Sequence, residues 1–293
     1  MRPKPPPVRR RLARTMTKTI VDYGLIRPGD HVMACMSGGK DSYTMLDLLT
    51  QALHKAPFDF KITAVHLDQV QPGYDGAPLR RWLETFEREQ GVPFEIVQED
   101  TYTTVVDLTP AGKTFCAVCS RMRRGVLYNV AERLGCNKLA LGHHRDDALE
   151  TVLMNLFYSG KLQAMPAGYT TDDGRFEVIR PLIECAESEI VEQANWAGYP
   201  ILPCNLCGSQ SGLRREAMRE LLDTLEGDNP NVRATMLAAL KNVHPSHLLD
   251  PVVRKVWLDR AGTDSAPATS PAPADPTDGL VQLRVRECPD QRG

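Results

Sequence analysis

The apolar run HVMACM (31–36) passes directly into SGGKDS (37–42) and then into a helical pattern. A strand that delivers two glycines, a lysine and two hydroxyl side chains to the start of a helix leaves few folds open. Similar runs follow at ITAVHLD (62–68), FEIV (94–97), KLALG (138–142) and EVIRPL (177–182). They are near-continuously apolar instead of alternating, as strands covered on both faces are. Helix candidates lie between them at 42–54, 78–90, 120–134 and 145–158. In the third, Met122, Val126, Val130 and Leu134 recur every four residues, and Gly135 follows as a stop. This alternation predicts an α/β fold, a doubly wound parallel sheet with right-handed crossovers. Residues 1–25 read as a basic arm and helix, 26–183 as the α/β domain, and 184–260 as a helical region. The Pro/Ala-rich stretch 261–293 reads as a disordered tail, with too little apolar surface to offset the entropy of ordering.

Open parallel sheets bind ligands beyond the carboxyl ends of their strands, which is where SGGKDS falls. Gly38 and Gly39 let the backbone bend and approach a ligand closely. The loop N–H groups and the helix start face an anion, and Ser37, Lys40 and Ser42 add charge and hydrogen bonds. The string is not a Walker A loop, because Ala34 stands at the first glycine position and Asp41 follows Lys40. A plain strand-to-helix turn capped by serine and aspartate is the structural alternative. Other groups stand at other strand ends. Asp68 closes AVHLD, where it suits either a ribose or a strand-terminal cap, while His66 on the same strand reads as core. LGHHRDDALETVL (141–153) brings Gly142, His143, His144, Arg145, Asp146 and Asp147 to one strand end. The aspartates suit Mg²⁺ or the helix dipole, and the histidines and arginine suit phosphate or substrate.

Eight cysteines include two C-x-x-C pairs, Cys116/Cys119 and Cys204/Cys207. Such pairs fit tetrahedral zinc, a redox dithiol or an iron–sulfur cluster, and spacing alone does not choose. Cys35, Cys136 and Cys185 lie in or beside apolar segments and read as small buried residues. The net charge of −2 hides six basic residues and no acid among the first fourteen. That arm is either a polyanion contact or a solvated leader. Arg121, Arg123 and Arg124 follow the first cysteine pair and Arg214 and Arg215 the second, which favours a polyanion partner. No apolar run approaches membrane length and no h-region follows the basic start, so a cytoplasmic protein without a membrane partner is expected.

SGGKDS, the C-x-x-C before a basic helix, LGHHRDD, and PCNLCGSQ followed by LRR together resemble the tRNA 2-thiocytidine synthetase family over roughly residues 10–250. That family lies within the PP-loop N-type ATP pyrophosphatases, and the resemblance implies a Rossmann-like sheet of the adenine nucleotide alpha-hydrolase type. It implies that ATP adenylates the C2 carbonyl of the cytidine at tRNA position 32, whose oxygen sulfur then replaces, giving 2-thiocytidine. The implied catalytic groups are Lys40, Asp41, Asp146 and Asp147, with ATP held by Ser37, Gly38, Gly39, Lys40, Asp41, Ser42, Asp68, Gly142 and His143. Mg²⁺ and a [4Fe–4S] cluster on Cys116, Cys119 and Cys207 are implied as cofactors, with Cys204 as the rival third ligand. The implied partners are the tRNA anticodon loop and a cysteine desulfurase as sulfur source, with the chain a homodimer. Two other readings stay open: an iron-free persulfide relay, and a zinc-stabilised nucleotide- or RNA-binding module.

Overall fold

Short stretches of β-branched and apolar residues become strands, and the amphipathic stretches between them wrap both faces of one sheet. The computed structural model describes residues 6–109, 115–202 and 212–261. In chain order the strands are β1 (His31–Met36), β2 (Lys61–Asp68), β3 (Phe94–Gln98), β4 (Lys138–Ala140), β5 (Gly168–Thr170) and β6 (Glu177–Ile179). The helices are α1 (Pro7–Asp22), α2 (Lys40–Leu53), α3 (Ala77–Gln90), α4 (Thr101–Leu108), α5 (Cys116–Arg133), α6 (Arg145–Tyr158), α7 (Glu187–Ala197), α8 (Gly212–Asp228), α9 (Val232–Lys241) and α10 (Pro251–Ala261). The strand order is β3-β2-β1-β4-β6-β5, parallel throughout except for the edge pair β5/β6.

The side chains of β1 split the core in two. Val32, Ala34 and Met36 pack with Leu12, Met16, Leu46, Leu49 and Leu79, while Met33 on the opposite face packs with Val65, Val126, Val130 and Phe176. Each face buries several large apolar side chains, worth about 1.5–3 kcal/mol apiece. The doubly wound sheet expected from sequence is therefore present. Its topological switch point lies between β1 and β4, where the chain leaves the sheet in opposite directions and opens a crevice.

Several local expectations need correction. From Pro7 onward the basic start is not a solvated leader: α1 buries Val8, Leu12 and Met16 and packs on α2 and α7. Arg9 is 2.9 Å from Asp47 and Arg11 2.7 Å from Glu189. β4 and β6 end earlier than their apolar runs, because LG and RPL turn into loops. β5 and α4 had no sequence counterpart. The described residues form two compact units, one up to Lys241, in which α7 packs on α1 and α2 and α8 packs on α6, and one after it. The expected disordered tail lies outside the described residues apart from Ala261. Among the described residues no helix is long and apolar enough to cross a membrane.

Candidate active site

The loop after β1 and the loop after β4 meet at the switch point. Gly38 adopts φ +82°, a conformation that favours glycine, and its carbonyl accepts the Leu202 N–H at 2.9 Å. A Cβ at Gly38 would lie 3.1 Å from the Leu202 side chain. Gly39 caps α2, whose first turn supplies backbone N–H groups to the crevice. Gly142 crosses so close to that turn that a Cβ would sit 3.1 Å from both the Asp41 carbonyl carbon and the Ser42 nitrogen. Both neighbours are backbone, so they cannot swing aside. Gly142→Ala is expected to destabilise the fold by about 1–3 kcal/mol and to weaken nucleotide binding. Denaturant titration and nucleotide titration check this, and unchanged values in both would contradict it.

Two adjoining cavities flank the loop and share Ser37, Leu67 and Arg123 in their walls. The larger, about 540 Å³, is lined by Ser37, Asp41, Ser42, Gly142, His143 and Asp147, with Arg123, Arg124 and Arg180 at its edge. The smaller, about 140 Å³, lies between the loop and the segment after β2.

Lys40 lines neither cavity among the described contacts. Its ammonium is 2.8 Å from Glu187 at the start of α7 and 3.2 Å from Asp41. Burial disfavours that charge, but the Glu187 hydrogen bond and the two carboxylates outweigh it and hold the Lys40 pKa above its ordinary value. Asp41 behaves oppositely: burial pushes its carboxyl up, only partly offset by His144 and Lys40. Its Oδ1 is buried and meets only ion-pair distances, 3.2 Å to Lys40 Nζ and 3.7 Å to His144 Nε2.

The two aspartates of LGHHRDD part company. Asp147 lines the larger cavity, closes a capping box with the His144 backbone N–H and lies 3.4 Å from Arg215. Asp146 is buried away from it. Its Oδ2 accepts the Glu187 N–H at 2.9 Å, and its Oδ1 accepts from Arg145 at 3.3 Å and Arg233 at 2.8 Å. Burial works against the Asp146 charge, but the Glu187 N–H and the two arginines hold its carboxyl below the usual range. Asp146 thus pins α7 and α9 to the start of α6. Asp68 fits the cap alternative: its carboxylate accepts from the Val70 N–H at 2.9 Å and from Gln98 at 3.1 Å. His66 is buried as expected.

Arg180 donates to His143 Nδ1 at 3.3 Å and to the Pro166 carbonyl at 2.9 Å. Burial, with the neighbouring Arg180, Arg215 and His144, pushes the His143 pKa down to about 4, against the pull of Asp147. His143 is therefore a neutral acceptor at pH 7. Because the unfolded chain takes up this proton near pH 6.5 and the folded chain only near 4, this group's stabilisation is complete above about pH 6.5 and is lost as pH falls toward 4. An NMR titration is expected to place the His143 midpoint near 4; a midpoint near 6.5 would contradict the assignment.

Cys119 is buried at the first turn of α5, its Sγ 3.4 Å from Gln69 Oε1. α5 begins at Cys116. Cys204 and Cys207 fall outside the described residues. Cys136 and Cys185 are buried, and burial pushes their thiols up to about 11 and 12 respectively. Cys35 departs from expectation, being only partly buried at the edge of the larger cavity. Glu187, Arg180 and Arg233 are groups around the site that sequence reasoning missed. Arg123 and Arg124 border the larger cavity, and Arg214 stacks over Tyr158 at 4.8 Å.

A PP-loop domain profile matches residues 8–221. A protein of Chromohalobacter salexigens named tRNA-cytidine(32) 2-sulfurtransferase is 51% identical over 243 residues, covering 83% of this chain and 84% of that one. A protein of the same name from Tolumonas auensis is 49% identical over 243 residues, covering 83% and 79%. Among solved structures, the U34-tRNA thiolase NcsA from Methanococcus maripaludis with its [4Fe–4S] cluster superposes with a TM-score of 0.62 at 23% identity. That match covers 81% of this chain and 80% of the thiolase, and it shows a shared fold.

Proposed function

The chain belongs to the PP-loop family and, within it, to the tRNA-cytidine(32) 2-sulfurtransferases, and from that membership we propose how its own residues perform the reaction. The ATP phosphates rest on Ser37–Ser42, against the loop N–H groups and the start of α2. Lys40 exchanges its Glu187 contact for phosphate as ATP arrives. The C2 oxygen of the target cytidine attacks the α-phosphorus, and the bond to pyrophosphate breaks. Lys40 and the backbone N–H groups stabilise the charge on the departing group. A sulfide then adds to C2, and AMP leaves with the former carbonyl oxygen, so no net oxidation occurs.

Asp41 and Asp147 fit Mg²⁺. Both border the larger cavity, and Asp41 holds a buried oxygen that a cation would relieve. No ready-made group of three or more ligating side chains exists among the described residues, in keeping with a cation that draws most of its ligands from phosphate and water. Asp146 acts indirectly, by placing Glu187 and the start of α7. His143, neutral and accepting from Arg180 at Nδ1, has its Nε2 N–H left to donate to substrate or nucleotide.

The cysteines fit a [4Fe–4S] cluster. Cys116 and Cys119 both fall in the first turn of α5, at the positive end of a helix, where the dipole favours thiolates. If Cys119 is a thiolate, Gln69 serves it with its amide turned over, donating N–H to sulfur. Leu202, anchored on Gly38, stands five residues before Cys207, at most about 18 Å of extended chain. That reach admits both Cys204 and Cys207; the family resemblance favours Cys207 as third ligand, with Cys204 its rival. When bound, the cluster supplies an iron not held by cysteine on which sulfur can be carried. A cysteine desulfurase supplies that sulfur as a persulfide, which a thiol reductant brings to the sulfide level while itself becoming a disulfide, and a cytoplasmic homodimer is the state in which the enzyme works.

The observation that carries this reading is convergence. The nucleotide loop, the Cys119 turn through Gln69, and the chain leading to Cys207 all border one pair of cavities. Mass spectrometry of tRNA nucleosides from cells with and without the chain tests it. 2-Thiocytidine is expected only where the chain is present, and its persistence without the chain would defeat the proposal.

A further inference from the structure

The smaller cavity, about 140 Å³, is lined by Ser37, Gly39, His66, Gln69, Tyr74 and Leu202, with Gln71 at its edge. At roughly 30 Å³ per water it holds about four or five waters. That is room for one pyrimidine ring. One wall is the nucleotide loop, and the other carries Gln69, whose Oε1 also accepts from Thr101 at 3.2 Å and lies 3.4 Å from Cys119. A flat ring placed there meets both the loop and the cysteine turn.

Its aromatic wall is held rigidly. The Tyr74 hydroxyl lies 2.6 Å from His66 Nε2, and His66 Nδ1 lies 2.8 Å from the Met36 carbonyl. The carbonyl needs a donor, so Nδ1 carries the proton and the tyrosine hydroxyl donates to Nε2. The two rings lie at 26° to each other. A Cβ at Gly76 would sit 3.1 Å from Tyr74 Cε1, so that glycine leaves the ring its place. Val70 adopts φ +57°, a left-handed conformation unusual for a β-branched residue, and the Asp68 carboxylate holds its N–H there. Backbone strain of this kind survives where the surrounding structure fixes it, and it clusters at ligand sites. Here it shapes the turn that sets Gln69 and Gln71 on the cavity wall.

We propose that this cavity receives the target base of the RNA, splayed from its neighbours, with Tyr74 as its stacking platform and the Gln69 and Gln71 amides against its polar edge. The proposal rests on the tRNA sulfurtransferase reading above. Single-stranded bases are held this way, by stacking on an aromatic ring and by edge hydrogen bonds. Glutamine carries both a donor and an acceptor, which matches the amine and ring nitrogen of cytosine.

The test compares binding of two anticodon stem-loop RNAs, with cytidine or an abasic site at position 32, to the full cluster-loaded chain. Wild type, Tyr74→Ala and Tyr74→Phe are measured, with ATP affinity followed in parallel. The abasic RNA is expected to bind wild type about tenfold more weakly. Tyr74→Ala should bind both RNAs alike with unchanged ATP affinity, and Tyr74→Phe should keep the discrimination. Full discrimination in Tyr74→Ala, or joint loss of ATP affinity in Tyr74→Ala, would overturn the proposal; equal binding of both RNAs by wild type would defeat cytidine-32 as the base held there. An abasic scan separates the two readings. A penalty at another loop position that Tyr74→Ala abolishes would keep the base cavity and defeat cytidine-32 as target. No penalty anywhere would defeat the cavity while leaving the 2-thiocytidine measurement to stand alone.

Discussion

Replacing Lys40 with alanine is expected to slow tRNA-dependent pyrophosphate release by about 10²–10³-fold, the usual cost of removing one group that stabilises a developing anion. The structure sharpens that expectation. Lys40 is held between Glu187 and Asp41, a fixed and acidic neighbourhood. On the proposed reading its removal deletes a phosphate contact and leaves the Asp41 carboxylate, which lines the larger cavity, and Glu187 without their shared cation. Electrostatic repulsion of ATP then adds to the lost attraction. Pyrophosphate release is measured with saturating ATP and tRNA, so that weaker binding and slower chemistry separate. A variant that turns over as wild type does would place the phosphates somewhere other than the first strand-to-helix bend.

The second large effect concerns sulfur. Cys119→Ser is expected to bring iron in anaerobically prepared protein to background and to abolish 2-thiocytidine, while ATP affinity stays within about twofold. Serine is a poor ligand for iron, and Cys119 is buried in the first turn of α5, 3.4 Å from Gln69. Cys185→Ala is the control. That thiol is buried in the core with its pKa pushed up to about 12, so it stays protonated and is expected to affect neither iron nor product. A wild-type preparation with no iron but full activity would instead favour a persulfide relay. One zinc per chain without pyrophosphate release would favour a binding module.

Much of this arrangement was legible in the sequence because it is local. A buried parallel strand writes itself as an apolar run, and β1 ends where HVMACM ends. The helix after LGHH begins at Arg145, where its capping residues place it, and ends at Tyr158. The nucleotide loop was readable for the same reason, since glycine need and helix start fall within six residues. What could not be read is what distant segments contribute. Glu187 looks like an ordinary acid in the first turn of a helix, and only the fold brings it 2.8 Å from Lys40. Arg233 reads as a surface charge, yet it is buried against Asp146, Glu226 and Asp223. The paired aspartates looked equivalent, but adjacent residues on a helix point about 100° apart, and only Asp147 faces the cavity. β5 escaped notice because its three residues are all exposed and carry no apolar signal. α4 escaped because Thr101, Thr103, Thr104, Val105 and Val106 are β-branched, so propensity spoke against a helix that the Asp100 cap secures.

The central claim is that ATP activates the cytidine oxygen itself, and its fate can be followed directly. A tRNA carrying ¹⁸O at C2 of the cytidine at position 32 is thiolated by the chain with unlabelled ATP, and the AMP is weighed. The account expects one ¹⁸O in the AMP phosphate for each 2-thiocytidine formed. Thiolation that yields unlabelled AMP, with the heavy oxygen in water or in pyrophosphate, would contradict it.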